Sequence, residues 1–151
     1  MKLHAQRGAG MAEFAIASSA FLLILFGIIE FGRVLYLYHT VSNAARIGTR
    51  WAIVRGSGCT VLDHCNATSG DIQTYVQSNV PLVDSGSMTA TATWSTTTDP
   101  NSTCTATTPG GNDGTGHVVC VTVSYPFNFA IPYVSSTALT LSSTSRMVIS
   151  Q

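Results

Sequence analysis

Hydrophobicity along the chain changes its period twice. From Phe14 to Ile29 it has none: FAIASSAFLLILFGII is apolar or small on every side and carries no charge. Counted from Ala9 to Ile29, the run holds 21 residues. That is about 31 Å of α-helix at 1.5 Å per residue, against a hydrocarbon core about 30 Å thick. One membrane crossing is predicted. Beyond it, Phe31, Val34, Tyr38, Val41, Ala45, Gly48 and Ala52 recur at alternating steps of three and four, which marks one helical face. The residues on this face shrink toward its end, so another element comes close there. It is either the chain's own outer domain or a partner helix. Gly56, Ser57 and Gly58 stop the helix.

A loop over 59–69 and a short helix over Asp71–Val80 follow, with Ile72, Tyr75, Val76 and Val80 on one side and Pro81 as its stop. The period then becomes two. Met88, Ala90, Ala92 and Trp94 alternate with Thr89, Thr91 and Thr93, the signature of a half-buried strand. Residues 96–116 are rich in Pro, Asn, Asp and Gly and read as a loop. Val119, Val121, Val123 and Tyr125 give a second strand, and Pro126 and Pro132 flank a short aromatic connection. Leu139, Leu141, Met147 and Ile149 share the parity of a third. The predicted fold is α+β, a long N-terminal transmembrane helix extended outside the membrane and packed against a small antiparallel sheet. The expected divisions are 1–8 as a cytoplasmic leader, 9–30 as the span, 31–55 as the helix extension and 56–151 as the outer domain.

Composition sharpens this picture. Charged residues are only 9% and the formal net charge is zero, so no basic footprint points to nucleic acid. Cys59, Cys65, Cys104 and Cys120 all lie beyond the apolar run. An even number there fits disulfides in an oxidising compartment. Four cysteines allow three pairings. Cys59–Cys65 and Cys104–Cys120 are favoured because each pair brackets a loop-like stretch, and a zinc site with His64 or His117 is the alternative. Lys and Arg flank the span on both sides, so the positive-inside rule does not set the orientation by itself. The cysteines place the N-terminus in the cytoplasm and residues 31–151 outside. A cleaved secretory signal fits poorly, because the run is long and no small-x-small site follows it.

Little catalytic chemistry is legible. Asp63-His64 beside Cys65 reads as a polar loop, His117 has no evident partner base or nucleophile, and no G-x-S-x-G, H-E-x-x-H or P-loop occurs. No enzymatic activity, metal or cofactor is expected. Glu30 and Arg33 stand three apart at the outer boundary and are able to pair on one helix face, or simply to mark a solvated exit. Arg46 and Arg50 are four apart and like-charged, so they should repel unless a partner lies between them.

The most telling residues precede the span. Arg7-Gly8 leads into Ala9, and Glu13-Phe14 opens the apolar run. At the centre of a spanning helix a carboxylate costs roughly 2.5–3.5 kcal/mol on insertion scales, so something should compensate Glu13. Together with Glu30-Phe31-Gly32-Arg33 and Asn43-Ala44-Ala45-Arg46, Gly48 and Arg50, these residues make the stretch from about 7 to 52 resemble the TadE-like proteins, minor pseudopilins of the tight-adherence (Flp-type) pilus machinery. VTVSYPFNFAIP and the closing SRMVI are similar to the family's usual end. Two positions depart from it: Ser19 stands where many relatives have Pro, and Ile47 where an acidic residue is often found.

The resemblance implies a pilin-like fold and cleavage by a prepilin peptidase between Gly8 and Ala9. Ala9 becomes the new N-terminus and Glu13 the fifth mature residue, which in pilin-like proteins is implicated in assembly with Phe14 beside it. It implies a bacterial inner-membrane, single-pass protein with a periplasmic or pilus-borne outer domain. Its implied partners are the peptidase, the Flp major pilin, a TadF-like minor pseudopilin, the inner-membrane assembly platform, membrane lipid and a second copy of itself. The alternative is an uncleaved single-pass protein whose outer domain binds a surface ligand, motivated by the Thr-rich strands and the 96–116 loop.

Overall fold

The computed structural model describes residues 4–80, 84–130 and 139–150. Pro81 and Pro132, expected to punctuate the chain, lie outside them. One unbroken helix, α1, runs over His4–Ala52, 49 residues or about 73 Å. It contains no proline and is dominated by Ala, Ile, Leu and Phe, so nothing interrupts its backbone ladder. From Gly10 to Ile29 no side chain is buried. Burial begins at Glu30 and becomes regular at Val41, Ala44, Ala45, Gly48, Thr49 and Ala52.

The buried face is rotated from the expected one in its first half. Phe31 and Tyr38 are 64% and 47% exposed, while Glu30 is buried and Val34 and Leu37 are half-buried. The packing line therefore runs through Glu30, Val34, Leu37 and Val41, one residue behind Phe31 and Tyr38. Apolar spacing misled here because aromatic side chains near a membrane exit favour the interface rather than a protein core.

The second helix, α2, spans Ser69–Asn79 and begins two residues earlier than expected. Thr68 caps it in a reciprocal box with Asp71. The Thr68 hydroxyl and N–H both donate to Asp71 Oδ2, at 2.7 and 2.9 Å. These two bonds hold the Asp71 carboxyl below its ordinary pKa.

Four strands, β1 (Thr89–Ser95), β2 (Cys104–Ala106), β3 (Val118–Phe127) and β4 (Leu139–Val148), form one antiparallel sheet in the order β2-β1-β3-β4. Both helices cover the same face, α1 over β3 and β4, α2 over β1. The period-two reading of β1 holds residue by residue: Met88, Ala90, Ala92 and Trp94 are buried. So are Val119, Val121 and Val123 opposite them. Gly48 of α1 meets Val76 and Val121, so small residues on the helix allow its close approach to both layers.

Two sheet details differ from expectation. β2 falls inside the stretch read as loop; it has only three residues and pairs only with the end of β1. Pro126 lies within β3 rather than after it. It pairs with Thr140 of β4, but β1 ends its pairing at Ser124, so the missing Pro126 N–H disturbs no ladder. Both favoured disulfides are present, Cys59–Cys65 and Cys104–Cys120, with Cα–Cα distances of 5.4 and 6.1 Å. That excludes the zinc alternative for these sulfurs. α1 itself ends at Ala52, ahead of the predicted limit at 55.

Candidate functional site on the N-terminal helix

Gly8 and Ala9 lie inside the first turns of α1, and the helix continues through them without a break. Glu13 follows one turn later and is exposed, as is Phe14 at 74%. Beyond them Ile16, Phe21, Leu23, Ile24 and Ile28 project from different sides of the helix, each more than 60% exposed. The described residues of the outer domain cover none of this surface. Two hydroxyls within the span are satisfied locally: Ser18 Oγ donates to Ala15 O at 3.0 Å and Ser19 Oγ to Ile16 O at 2.8 Å. In hydrocarbon such internal bonding is required, since no water is there to replace it. By length and composition α1 fits a single-pass membrane anchor.

Glu13 has no ion-pair partner among the described residues. The structure thus sets an exposed carboxylate at the head of an apolar helix that no described residue of the outer domain covers. The four cysteines, by contrast, are far along the chain and serve the outer domain.

The other end of the span is built differently. Glu30 is buried, and its Oε1 accepts from Arg33 Nη1 at 2.7 Å and from the backbone N–H of Ala130 at 3.3 Å. Arg33 lies over the Phe127 ring, 5.4 Å from its centroid, and Phe127 meets Phe129 edge to face. The expected Glu30–Arg33 pair forms, though not as a solvated exit: it clasps α1 to the end of β3. Residue spacing gave the helical pair. It gave no sign of Ala130, which is one hundred positions away in sequence.

His64 and His117, considered for chemistry, each meet a described partner. His64 Nδ1 lies 3.3 Å from Asp71 Oδ1, and His117 Nδ1 lies 3.0 Å from the Ser95 carbonyl oxygen. Among the described residues no cluster of three or more His, Cys, Asp or Glu side chains could hold a metal ion. Arg46 and Arg50 remain exposed, with no carboxylate between them among the described residues.

A family model described as TadE-like protein matches residues 8–50. No curated protein and no solved structure matches the chain. The matched segment starts at Gly8, takes in Glu13 and the whole apolar surface, and ends at Arg50, where α1 is already seated on the sheet. Over that segment, less than a third of the chain, the protein is similar to the TadE-like family, a similarity that supports a place in the tight-adherence (Tad/Flp) pilus system.

Proposed function

We propose that this protein is a minor pseudopilin. A prepilin peptidase cleaves it between Gly8 and Ala9, and the mature chain acts in initiation or assembly of an Flp-type pilus at the bacterial inner membrane. Its leader faces the cytoplasm and its disulfide-bonded outer domain faces the periplasm or the pilus surface. The role is structural rather than enzymatic. One observation carries the reading: Glu13, with no ion-pair partner among the described residues, stands at the start of an apolar helix that the described outer domain leaves bare, one turn after a Gly8-Ala9 junction.

The physics of cleavage supports it. A freed α-amino group has a reference pKa near 8 and is mostly cationic at neutral pH. At about 4 Å from Glu13, at an effective dielectric of 20, it gains roughly 4 kcal/mol. That is comparable to the insertion cost of the carboxylate. An amine on a neighbouring subunit would gain as much and would also set the axial register of stacked helices. The bare surface from Gly10 to Ile29 then has two successive covers, lipid before assembly and the helices of the major pilin and a TadF-like partner after it.

The decisive measurement is the N-terminal residue of membrane-extracted protein. Ala9 is expected where the peptidase is active, and an intact Met1 there overturns the reading. Glu13→Gln should abolish piliation while leaving the outer domain folded, its disulfides formed and its thermal melt unchanged. Normal piliation in that variant would favour an uncleaved anchor with a ligand-binding head.

A further inference from the structure

Three adjoining cavities line the seam between α1 and α2. The first, about 280 Å³, begins at Tyr36 and His39 and reaches Ile47. The second, about 450 Å³, runs from Ile47 past Arg50 to Trp51 and Arg55. The third, about 420 Å³, shares Trp51, Arg55 and Tyr75 and ends at His64 and Asp71. Shared walls make them one groove on the outer domain, separate from the bare surface of the span.

Its chemistry is uneven. Arg50 and Arg55 line it, and Arg46 sits one turn before Arg50 on the exposed side of α1. The one carboxylate on its walls is Asp71, which is already committed to Thr68 and His64. Trp51 is fixed in the middle: it stacks on Tyr75 with centroids 4.9 Å apart, and the Arg55 guanidinium lies 4.1 Å from its ring centroid. Arg55 is anchored in turn by donating to Asp63 O at 3.0 Å and to Trp51 O at 3.2 Å. The groove is therefore largely apolar, braced by these contacts, and among the described residues its two arginines face a single carboxylate that is already committed.

Arg46 and Arg50 make the point sharper. Like charges at this spacing disfavour a helix by a few tenths of a kcal/mol, and no carboxylate sits between them among the described residues. Arg50 gains from the dipole in the last turn; Arg46 lies a turn too early to share it. Anionic lipid headgroups do not explain them. Arg46 is sixteen residues beyond the buried Glu30, about 24 Å along the helix, and the screening length at physiological salt is about 8 Å.

We propose that the α1–α2 groove docks a segment of a partner protein that carries carboxylates beside apolar anchors, with Arg46, Arg50 and Arg55 reading the charge and Ile47 and Trp51 the anchors. Such a segment supplies the counter-charge that the groove lacks and fills its apolar floor, the helix-in-groove mode of recognition. The inference stands whether or not the leader is cleaved.

The test uses the full chain in nanodiscs of neutral lipid. The probe is a fluorescein-labelled peptide with Glu at every third or fourth position and Leu between, and its Gln counterpart is the control. Anisotropy should show the Glu peptide binding, with affinity falling as salt rises, and the Gln peptide failing to bind. Arg46→Gln/Arg50→Gln should weaken binding by about tenfold or more, of order 1.4 kcal/mol, with an unchanged thermal melt. Arg146→Gln, on the far side of the sheet, should leave it unaltered. No binding of the Glu peptide, equal binding of the two peptides, or wild-type affinity in the double variant each overturns the proposal. A photo-cross-linker at Ile47 in the native cell gives a second reading. Cross-links mapped to a carboxylate-rich segment of another protein support it, and cross-links to lipid or to this chain's own peptides overturn it.

Discussion

A Cβ built on Gly48 would lie 2.8 Å from Val76 Cγ2 and 3.2 Å from Val121 Cγ1, both on β-branched side chains in the core. Such side chains have little rotamer freedom with which to retreat. Gly48→Val should therefore cost about 2 kcal/mol or more through overpacking, despite the intrinsic helix penalty it relieves. Gly32, on the same helix, has nothing within 4 Å of the same construction. Gly32→Ala should stabilise the helix by about 0.5–1 kcal/mol, and paired thermal melts check both signs. Asp71 makes a second prediction at this scale. Its folded-state pKa is depressed, chiefly by the Thr68 hydroxyl and then by the Thr68 N–H. The stability it contributes is present above the unfolded value near 3.9 and lost as pH falls through the lower folded value. Thr68→Ala should destabilise the outer domain by about 1 kcal/mol at neutral pH. It should also flatten the loss of stability that wild type shows below about pH 4.

Among the elements, the end of β1 depends on one buried hydroxyl. Ser95 Oγ accepts from the Val118 N–H at 2.8 Å and donates to Thr97 O at 2.7 Å, at the point where β1 changes register. Ser95→Ala leaves that N–H buried without a partner and should cost about 1–3 kcal/mol, with faster amide exchange at Val118. Replacing Cys104 and Cys120 together by Ser, which opens a loop of sixteen positions, should cost about 3 kcal/mol, seen as a lower denaturation midpoint. The elements also show what sequence can carry. β1 and the core of β3 were legible because one face is buried and one is wet, so burial prints itself as alternation. β2 was not, because three residues held by a neighbour and a disulfide carry no period of their own. The long N-terminal helix was legible as an unbroken apolar run without proline. The Glu30 clasp was half legible, since Arg33 is local and Ala130 is not. The role of Ser95 left no trace, as a serine at a strand end reads as a turn residue whether or not it is buried.

At the scale of the molecule the chain divides its labour along α1. No residue from Gly10 to Ile29 is buried, whereas the core that α1 shares with α2 and the sheet starts at Val41, with Glu30 as an outlying clasp. Packing free energy follows buried apolar area, so the first half of α1 contributes almost nothing to folding of the head. A chain cut to residues 30–151 and secreted into an oxidising compartment should fold with both disulfides intact. Its melting temperature should lie within about 4 °C of the full chain, a difference of order 1 kcal/mol or less for a domain of this size. Cutting at Ala44 instead removes Glu30 and Val41 and with them the clasp and the first core position. Burial of one such aliphatic side chain is worth about 1.5–3 kcal/mol, and an uncapped, shortened helix adds further loss, so this product should melt well below the longer fragment or fail to fold. If the 30–151 fragment melted far below the full chain, the apolar half of α1 would be holding the head together, and a surface free for lipid and partner helices would not exist.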